Sequence, residues 1–454
     1  MSTEIRRYIR SLGLDAYVVG GAVRDELLGI EHADEDFLVP GVDQAGLRAA
    51  LEPHGRVEDL EVHGQLVGVR FHPRDGSIRV LAPAGIELTP PRRERSTGPG
   101  HRDFEIVPDA SVSIVDDMAR RDFTVNAMAR RLETGELVDP FGGREDLERR
   151  ELRTVGRESF AEDPLRIIRG LRLVSQLGFT LTDETVRQMQ SEARGLAHVS
   201  AERIGGGQAA DGLGELSKLL LGRRPAAALR LARDTGALVE VIPEFADAIG
   251  YQLPGGRQPL PLDEHVFAVV QGAADGGAKL AVRLAALLHD LAKPEAVRGD
   301  GGHARLGAEL AVAIMRRLRY PNVLRDEVAR IVAGHAFWLD APIDALFARR
   351  FLASHGSALA ESLVALKRAD LGAKVVEDWE LEHLAELERL LAEEAESPHR
   401  LSDLAVDGDD LIAVGHREGP ELGAALVRLL DHVVDEPAEN DRDRLLELAR
   451  QWLA

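Results

Sequence analysis

The sequence predicts an α+β protein, in which an N-terminal head on a mixed sheet is followed by a largely all-α neck, body and tail. Three observations predict it. Positions 15–90 alternate short β-rich runs (AYVVGG, EDFLV, QLVGVRF, SIRVLA, GIEL) with one helical stretch near 43–53, the pattern of a small mixed sheet with a helix against it. After the turn chemistry of DPFGG at 139–143 the hydrophobic period becomes helical and stays so through DPLRIIRGLRLVSQLGF, ETVRQMQSEARGL, KLAVRLAALLHDLA, ELAVAIMRRLRY and ALVRLLDHVV. At 454 residues the chain also exceeds what one core supports, so several domains are expected.

The expected divisions are a head at 1–143, a helical neck and body at 144–250, a second helical body at 251–378 and a helical tail at 379–454. Within the head, PRRERSTGPGHRD at 91–103 has Pro, Gly and Arg without periodicity and reads as a mobile loop. Linkers are expected at GGG (205–207), YQLPGGRQPLP (251–261) and SPHRLSDL (397–404). The acidic, amphipathic WELEHLAELERLLAEEAE at 379–396 reads as a helix with one solvated face.

Composition narrows the function. With no Cys, disulfide scaffolds, thiolate zinc sites and Cys nucleophiles are excluded, metal binding falls to His, Asp and Glu, and a reducing compartment fits. No apolar run reaches membrane-spanning length and MSTEIRRYIR has no apolar stretch behind its arginines, so a soluble, cytoplasmic protein without a membrane partner is expected. A net charge of −21 speaks against nucleic-acid binding by a bulk positive field, though not against a local groove. Only five of the 56 basic residues are Lys (218, 279, 293, 367, 374), so every cation of the first 217 positions is the planar Arg fork suited to phosphates and base edges.

Four head motifs carry chemistry. GGAVRD at 20–25 follows a strand and opens a helix: either Gly20 and Gly21 let amides approach a phosphate, with Arg24 adding a forked donor, or this is only a turn. In DED at 34–36 the strand period of 2 puts Asp34 and Asp36 on one face and Glu35 on the other. The two carboxylates suit divalent cations, and Glu87 in GIEL is placed to complete such a site from a neighbouring strand; the alternative is a solvated acidic turn within EHADED. RRDFTVNAM at 120–128 sets Arg120, Arg121 and Asp122 at an expected helix start, able to hold a triphosphate and a ribose hydroxyl, or else an N-cap with surface arginines. In AEDPLRIIRGLR at 161–172, Asp163 and Arg166 fall at i and i+3 on one helix face: an acceptor and a forked donor that match the edges of C and A but not U or G, or an ordinary helix ion pair.

With GGAVRDELLG, DED, RRDFTVNAM, DPFGGREDL and EDPLRIIRGLRLVSQLGF in this order, positions 15–180 resemble the class II CCA-adding tRNA nucleotidyltransferases. LAVDGDDLIAVGHREGPELGAAL at 404–426 is a weaker echo of that family's tRNA-holding tail. The resemblance implies a palm-like head with Asp34 and Asp36 as Mg²⁺ ligands and Glu87 as third carboxylate. It implies Arg24 on the triphosphate, Arg121 and Asp122 on sugar and phosphates, and Asp163 and Arg166 as a protein template. Gly20, Gly21, Asn126 and Arg169 would be further nucleotide-binding positions. The reaction implied is addition of C, C and A to the tRNA 3′ end from CTP and ATP. Partial CC-only or A-only addition and bacterial poly(A) polymerase are the alternatives. The loop 91–103 matches the family's flexible loop in position but has a longer form than the commonest one.

Downstream, His265 in DEHVFAVV, His289 and Asp290 in LLHDLAK and Asp370 in KRADLGAK stand in helical context. An adjacent His-Asp in an apolar helix is costly unless the Asp has a partner, and a metal supplies one. The set resembles the HD phosphohydrolase superfamily, with His303 and His335 at the positions of additional ligands. It implies six ligands for two ions or four for one, a transition metal (Mn, Ni, Co or Fe) as cofactor, and phosphoester hydrolysis; a metal-free helical body is the alternative.

Overall fold

The computed structural model describes residues 2–31, 35–62, 65–96, 104–206, 212–254, 256–296, 302–340 and 342–453. The chain forms two compact units, Met1–Pro243 and Glu244–Ala454.

In the first unit, β1 (Tyr17–Val19) is buried at every residue, so it needs cover on both faces and a partner on both edges. It pairs antiparallel with β2 (Asp36–Leu38) and with β8 (Ala129–Arg131). Around this centre, β3 (Gly55–Val62), β4 (Gln65–Pro73), β5 (Ile86–Thr89) and β9 (Leu137–Val138) complete a seven-stranded sheet in the order β3-β4-β5-β2-β1-β8-β9. The β2–β5 pair is parallel and the other pairs are antiparallel, so the sheet is mixed as expected. Tyr17, Val19 and Leu38 pack on Met118, Ala127 and Ala129, which fixes the 118–129 segment over the sheet.

Three local expectations are corrected. SIRVLA is not a strand: the Asp75 carboxylate accepts from the Ser77 amide and starts a helix at Gly76–Leu81, of which only Ile78 is buried. The 91–103 segment is not loop throughout, because β6 (Arg92–Ser96) pairs antiparallel with β7 (Phe104–Pro108); positions 97–103 lie outside the described residues. RRDFTVNAM does not open an α-helix. The helix Ile114–Ala119 ends before it, Arg120 caps that end, and Thr124–Asn126 form one 3₁₀ turn.

The rest of the first unit is helical, led by Leu165–Leu177, with Ala201–Ile204 and Glu215–Leu220 beyond it. In the second unit, helix Leu262–Asp275 packs against Leu280–Leu288 and Ser357–Leu371, while His303–Arg317 packs on Asn322–Gly334. Helix Asp378–Glu393 buries Leu384, Leu387, Leu390 and Leu391 and exposes much of its acid, as its amphipathic pattern predicts. Helices Pro420–Asp435 and Arg442–Gln451 enclose a separate small core around Leu411, Leu429, Val433 and Leu445. Among the described residues no helix is long and apolar enough to cross a membrane.

Gly20 joins β1 to helix Gly21–Leu28 at φ +74°, and a Cβ there would stand 2.6 Å from Arg121 Nη1. Backbone handedness and that guanidinium both demand glycine. Gly20→Ala should therefore lower stability by about 1–2 kcal/mol, read as a shift of the denaturant midpoint; an unchanged midpoint would contradict this account of the turn.

Candidate active sites

Two of the head's candidate carboxylates stand on neighbouring parallel strands. Asp36 on β2 and Glu87 on β5 are register partners, so their side chains leave the sheet on the same face. On the far side of Glu87, its register partner Arg70 on β4 places Nη2 2.6 Å from Glu87 Oε1. Glu35 turns the other way: Arg6 Nε and Nη2 donate to its Oε1 at 2.9 and 2.6 Å, as the strand period requires. Asp34 lies outside the described residues. Paired hard oxygen donors of this kind fit a divalent cation such as Mg²⁺.

Beside the carboxylates runs a continuous polar chain. Arg24 Nη1 donates to Asn126 Oδ1 (2.7 Å), and Asn126 Nδ2 donates to Asp122 Oδ1 (3.0 Å), which also accepts from the Phe123 amide (2.8 Å). Asp122 Oδ2 accepts from Arg169 Nε at 2.8 Å. Asp122 is buried, which by itself would raise its pKa. The Arg169 charge, with hydrogen bonds from Asn126, Arg169 and the Phe123 amide, outweighs burial and holds the carboxyl well below its usual range. Asp122 in turn raises the Arg169 guanidinium. Arg121 lies against Gly20 and is pulled down by burial, with Asp117 and Asp36 opposing. Asp117, which sequence reasoning missed, is fully buried and takes both Arg120 (Nε and Nη2 to Oδ1, 3.0 and 2.8 Å) and Arg121 (Nη2 to Oδ2, 3.5 Å).

Asp163 and Arg166 do not form the expected side-by-side pair. Asp163 precedes helix Leu165–Leu177, where its Oδ1 accepts from the Leu165 amide (3.1 Å) and its Oδ2 takes Arg203 Nη2 (3.3 Å). Arg166 turns inward instead: Nη1 donates to the Ser159 carbonyl and hydroxyl (both 3.1 Å) and to Glu162 Oε2 (3.0 Å), and Nη2 to the Arg120 carbonyl (2.6 Å). Pro164 is the physical reason, since it places Asp163 in extended backbone outside the helix. Arg203, 40 residues away in sequence, carries no local signal that points to it.

In the second unit the sequence-singled residues converge. Ligand atoms of His265, His289, Asp290 and Asp370 lie within 4.8 Å of one another, as do those of Asp290, His303 and His335. His289 and Asp290 are not inside a helix as expected but in the turn that ends Leu280–Leu288; His289 Nδ1 is 2.9 Å from the Ala286 carbonyl there, which leaves Nε2 facing the cluster. His335 does the same through the Val332 carbonyl (2.6 Å).

Asp290 stands between the two sets. Its Oδ2 is 3.1 Å from His289 Nε2 and 3.4 Å from His265 Nε2, while its Oδ1 is 3.6 Å from His335 Nε2 and 3.9 Å from His303 Nε2. None of these approaches has hydrogen-bond geometry. His265 Nε2, His289 Nε2, both Asp290 oxygens and Asp370 Oδ1 are buried without a hydrogen-bond partner. Orphaned donor atoms this close together would fit a metal ion held by His265, His289, Asp290 and Asp370. Burial disfavours the His289 imidazolium, yet Asp290 and Asp370 overcome it and raise the pKa to about 9; burial also pushes His303 down to about 4. Lys293 Nζ lies 2.5 Å from Asp290 Oδ2 and Lys374 Nζ 2.6 Å from Asp370 Oδ2. Their i+3 and i+4 spacing from the aspartates was the sequence signal for both lysines, and it went unread.

Together the two sites define a nucleotidyltransferase head followed by an HD-type helical body, and comparison with known proteins agrees. Family models match in the same order: "Poly A polymerase head domain" over residues 16–153, "Probable RNA and SrmB- binding site of polymerase A" over 178–249, and "HD domain" over 262–433. The multifunctional CCA protein of Aromatoleum aromaticum is 35% identical over 327 residues, 70% of this chain and 74% of that protein. That of Vibrio cholerae is 34% identical over 333 residues, 71% and 76% of the two chains. The crystal structure of the Bacillus stearothermophilus CCA-adding enzyme in complex with CTP matches with a TM-score of 0.71 at 27% identity, covering 100% of this chain and 96% of that one. The Thermotoga maritima CCA-adding enzyme complexed with tRNA shares the fold (TM-score 0.59, 20% identity, 99% and 94% covered). The chain belongs to the multifunctional CCA protein family.

A carboxyl held below its ordinary range stabilises the fold above the unfolded-state value of about 4, and that contribution is lost as pH falls toward the depressed one. Asp122→Asn should therefore cost about 1–3 kcal/mol at neutral pH, since it removes the charged partner of a partly exposed Arg169, with the gap to wild type narrowing below about pH 4. Denaturant titrations across that range read both effects, and parallel curves would show that Asp122 is not charged in the folded protein.

Proposed function

We propose that this protein builds the 3′ end of tRNA, adding C, C and A from CTP and ATP without a nucleic-acid template, and that its second unit hydrolyses phosphoesters with the help of metal ions. The observation that carries the first part is the Asp36–Glu87 pair on parallel strands, set in a head that the Arg24–Asn126–Asp122–Arg169 chain ties together. The family supports it, as does the likeness to a CCA-adding enzyme in complex with CTP.

In this reading Asp34, Asp36 and Glu87 hold Mg²⁺, which when bound favours ionisation of the attacking 3′-hydroxyl and steadies the pyrophosphate that leaves. The chain's own groups do the rest. Arg24 and Arg121 take triphosphate oxygens, with Gly20 and Gly21 leaving room at the helix start. Asp122 keeps acceptor capacity for a ribose hydroxyl, Asn126 and Arg169 hold it in place, and Asp163 accepts from the exocyclic amine that C and A share. Arg166 supplies the matching donor once its fork leaves the Ser159 and Arg120 oxygens, and Arg203 steadies Asp163. The divisions 1–143, 144–250, 251–378 and 379–454 give a head, a helical tRNA-binding body, the HD domain and a helical tRNA-binding tail. A cytoplasmic location fits the cysteine-free composition.

For the HD cluster, His265, His289, Asp290 and Asp370 hold one ion and Asp290, His303 and His335 a second, with Asp290 between them. Imidazole-rich ligation favours Mn, Ni, Co or Fe over Mg²⁺, and such ions activate water toward a phosphoester. Cyclic phosphates at damaged tRNA ends are a fitting substrate, since they block the 3′-hydroxyl that the head requires.

Asp36→Ala should abolish nucleotide addition in a tRNA-extension assay while tRNA binding, measured by filter retention, survives; near-wild-type addition would overturn the metal assignment. Asp163→Ala should lose about 1–3 kcal/mol of discrimination against UTP and GTP, by analogy with base-edge contacts elsewhere, and unchanged rejection would remove it from the reading role. His289→Ala should remove metal, seen by elemental analysis of protein purified without chelator, and also hydrolysis of a 2′,3′-cyclic phosphate. It should leave nucleotide addition intact. Wild type that holds no transition metal and hydrolyses nothing with Mn²⁺, Ni²⁺ or Co²⁺ would make the body structural.

A further inference from the structure

Beyond His335 the chain runs through 336–340 without helix or strand, yet this segment is pinned at two points. Lys367 Nζ donates to the Phe337 carbonyl (2.8 Å) and stands 5.0 Å from the centre of the Phe337 ring. His383 Nδ1 donates to the Leu339 carbonyl (2.6 Å). Between the clamped carbonyls sits Trp338, 74% exposed. A free loop would let so large an apolar ring fold back onto the protein; bonds on both flanking carbonyls hold it out.

What the indole faces is a cavity of about 520 Å³ that Asp290, His303 and His335 of the cluster also line. Trp338 follows His335 by three positions, at most about 10 Å of chain, and one cavity is lined by both the ligand cluster and the exposed ring. Lys293, Lys367 and Lys374 line it as well. Three of the chain's five lysines thus gather at one place on a protein of net charge −21. Candidate metal ligands, ammonium groups and an out-turned indole around one cavity describe a ligand with a phosphate at one end and a flat aromatic ring at the other.

We propose that Trp338 is the specificity-determining residue of this pocket: its indole stacks on the base of a nucleotide phosphoester whose phosphate lies at the His–Asp cluster. Lys367 and His383 are positioning residues that fix the platform. The proposal rests on the phosphohydrolase reading of the cluster, and its test separates the two.

Wild type, Trp338→Ala and Trp338→Phe are assayed in the full chain, with Mn²⁺, Ni²⁺ or Co²⁺, on adenosine 2′,3′-cyclic phosphate and on glycerol 1,2-cyclic phosphate, which has the same charge and no base. Trp338→Ala should raise KM for the adenosine ester about tenfold or more, with kcat little changed and the glycerol ester unaffected, and Trp338→Phe should stay within a few-fold of wild type. An unchanged KM, or an equal rise for both esters, overturns the stacking role. If no form hydrolyses either ester, the phosphohydrolase reading fails, and tryptophan-fluorescence titration with adenosine 2′-phosphate then decides. All three tryptophans (338, 379 and 452) lie in the second unit, and Trp379 lines the same cavity, so it still reports binding there when Trp338 is replaced. Quenching lost in Trp338→Ala supports the platform, and equal quenching in variant and wild type overturns it.

Discussion

Negative charge taken out of water has to be answered by positive charge, and that demand shapes both units. A buried carboxylate without a partner costs several kcal/mol. The first unit answers with arginine forks: Arg169 on Asp122, Arg120 and Arg121 on Asp117, Arg153 on Asp146. Of these, the Arg169–Asp122 pair ties together segments 47 positions apart in sequence. The second unit answers only in part. Lys293 and Lys374 reach one oxygen each of Asp290 and Asp370, and His265 Nε2, His289 Nε2, Asp290 Oδ1 and Asp370 Oδ1 stay buried without a hydrogen-bond partner. At Asp122, Asp117 and Asp146 the countercharge is built in, whereas the Asp290 cluster keeps donor atoms that an ion would match.

This difference explains how an acidic chain handles anions. A net charge of −21 repels polyanions at long range, but the field falls off over about 10 Å at ordinary ionic strength. In the proposed reading a triphosphate meets the local charge of Arg24 and Arg121, and Arg169 is ordered by the buried Asp122 carboxylate. Arginine suits such a network because its fork can bind a carboxylate with one edge and present another. Lysines, rare in this chain, appear instead beside the cluster whose chemistry calls for compact, mobile charge.

Much of this was legible in the sequence because it is local. The head's alternating runs, the glycines before Arg24 and the strand parity that separates Glu35 from Asp36 are readable from spacing, and the histidines of the cluster from their resemblance to the HD superfamily. What was lost depends on partners distant in sequence. The strand at 92–96 exists because 104–108 pairs with it. SIRVLA favours a strand by composition and a helix by its Asp75 cap, and the cap prevails where only Ile78 is buried. Pro164 moves Asp163 out of the helix that would have set it beside Arg166, and Arg203 takes the vacant place. The two-sided role of Asp290 is likewise a tertiary product, since four separate elements converge on its two oxygens.

The central claim is that one protein pocket reads C and A in turn and stops after three nucleotides. Extending tRNA transcripts that end before CCA, after C and after CC, with CTP alone, ATP alone and both, tests it most directly. The account predicts two C additions and a halt with CTP alone, a single A with ATP alone and only on the CC end, and complete CCA with both. Open-ended A tracts, or a halt at CC when both nucleotides are present, would contradict it.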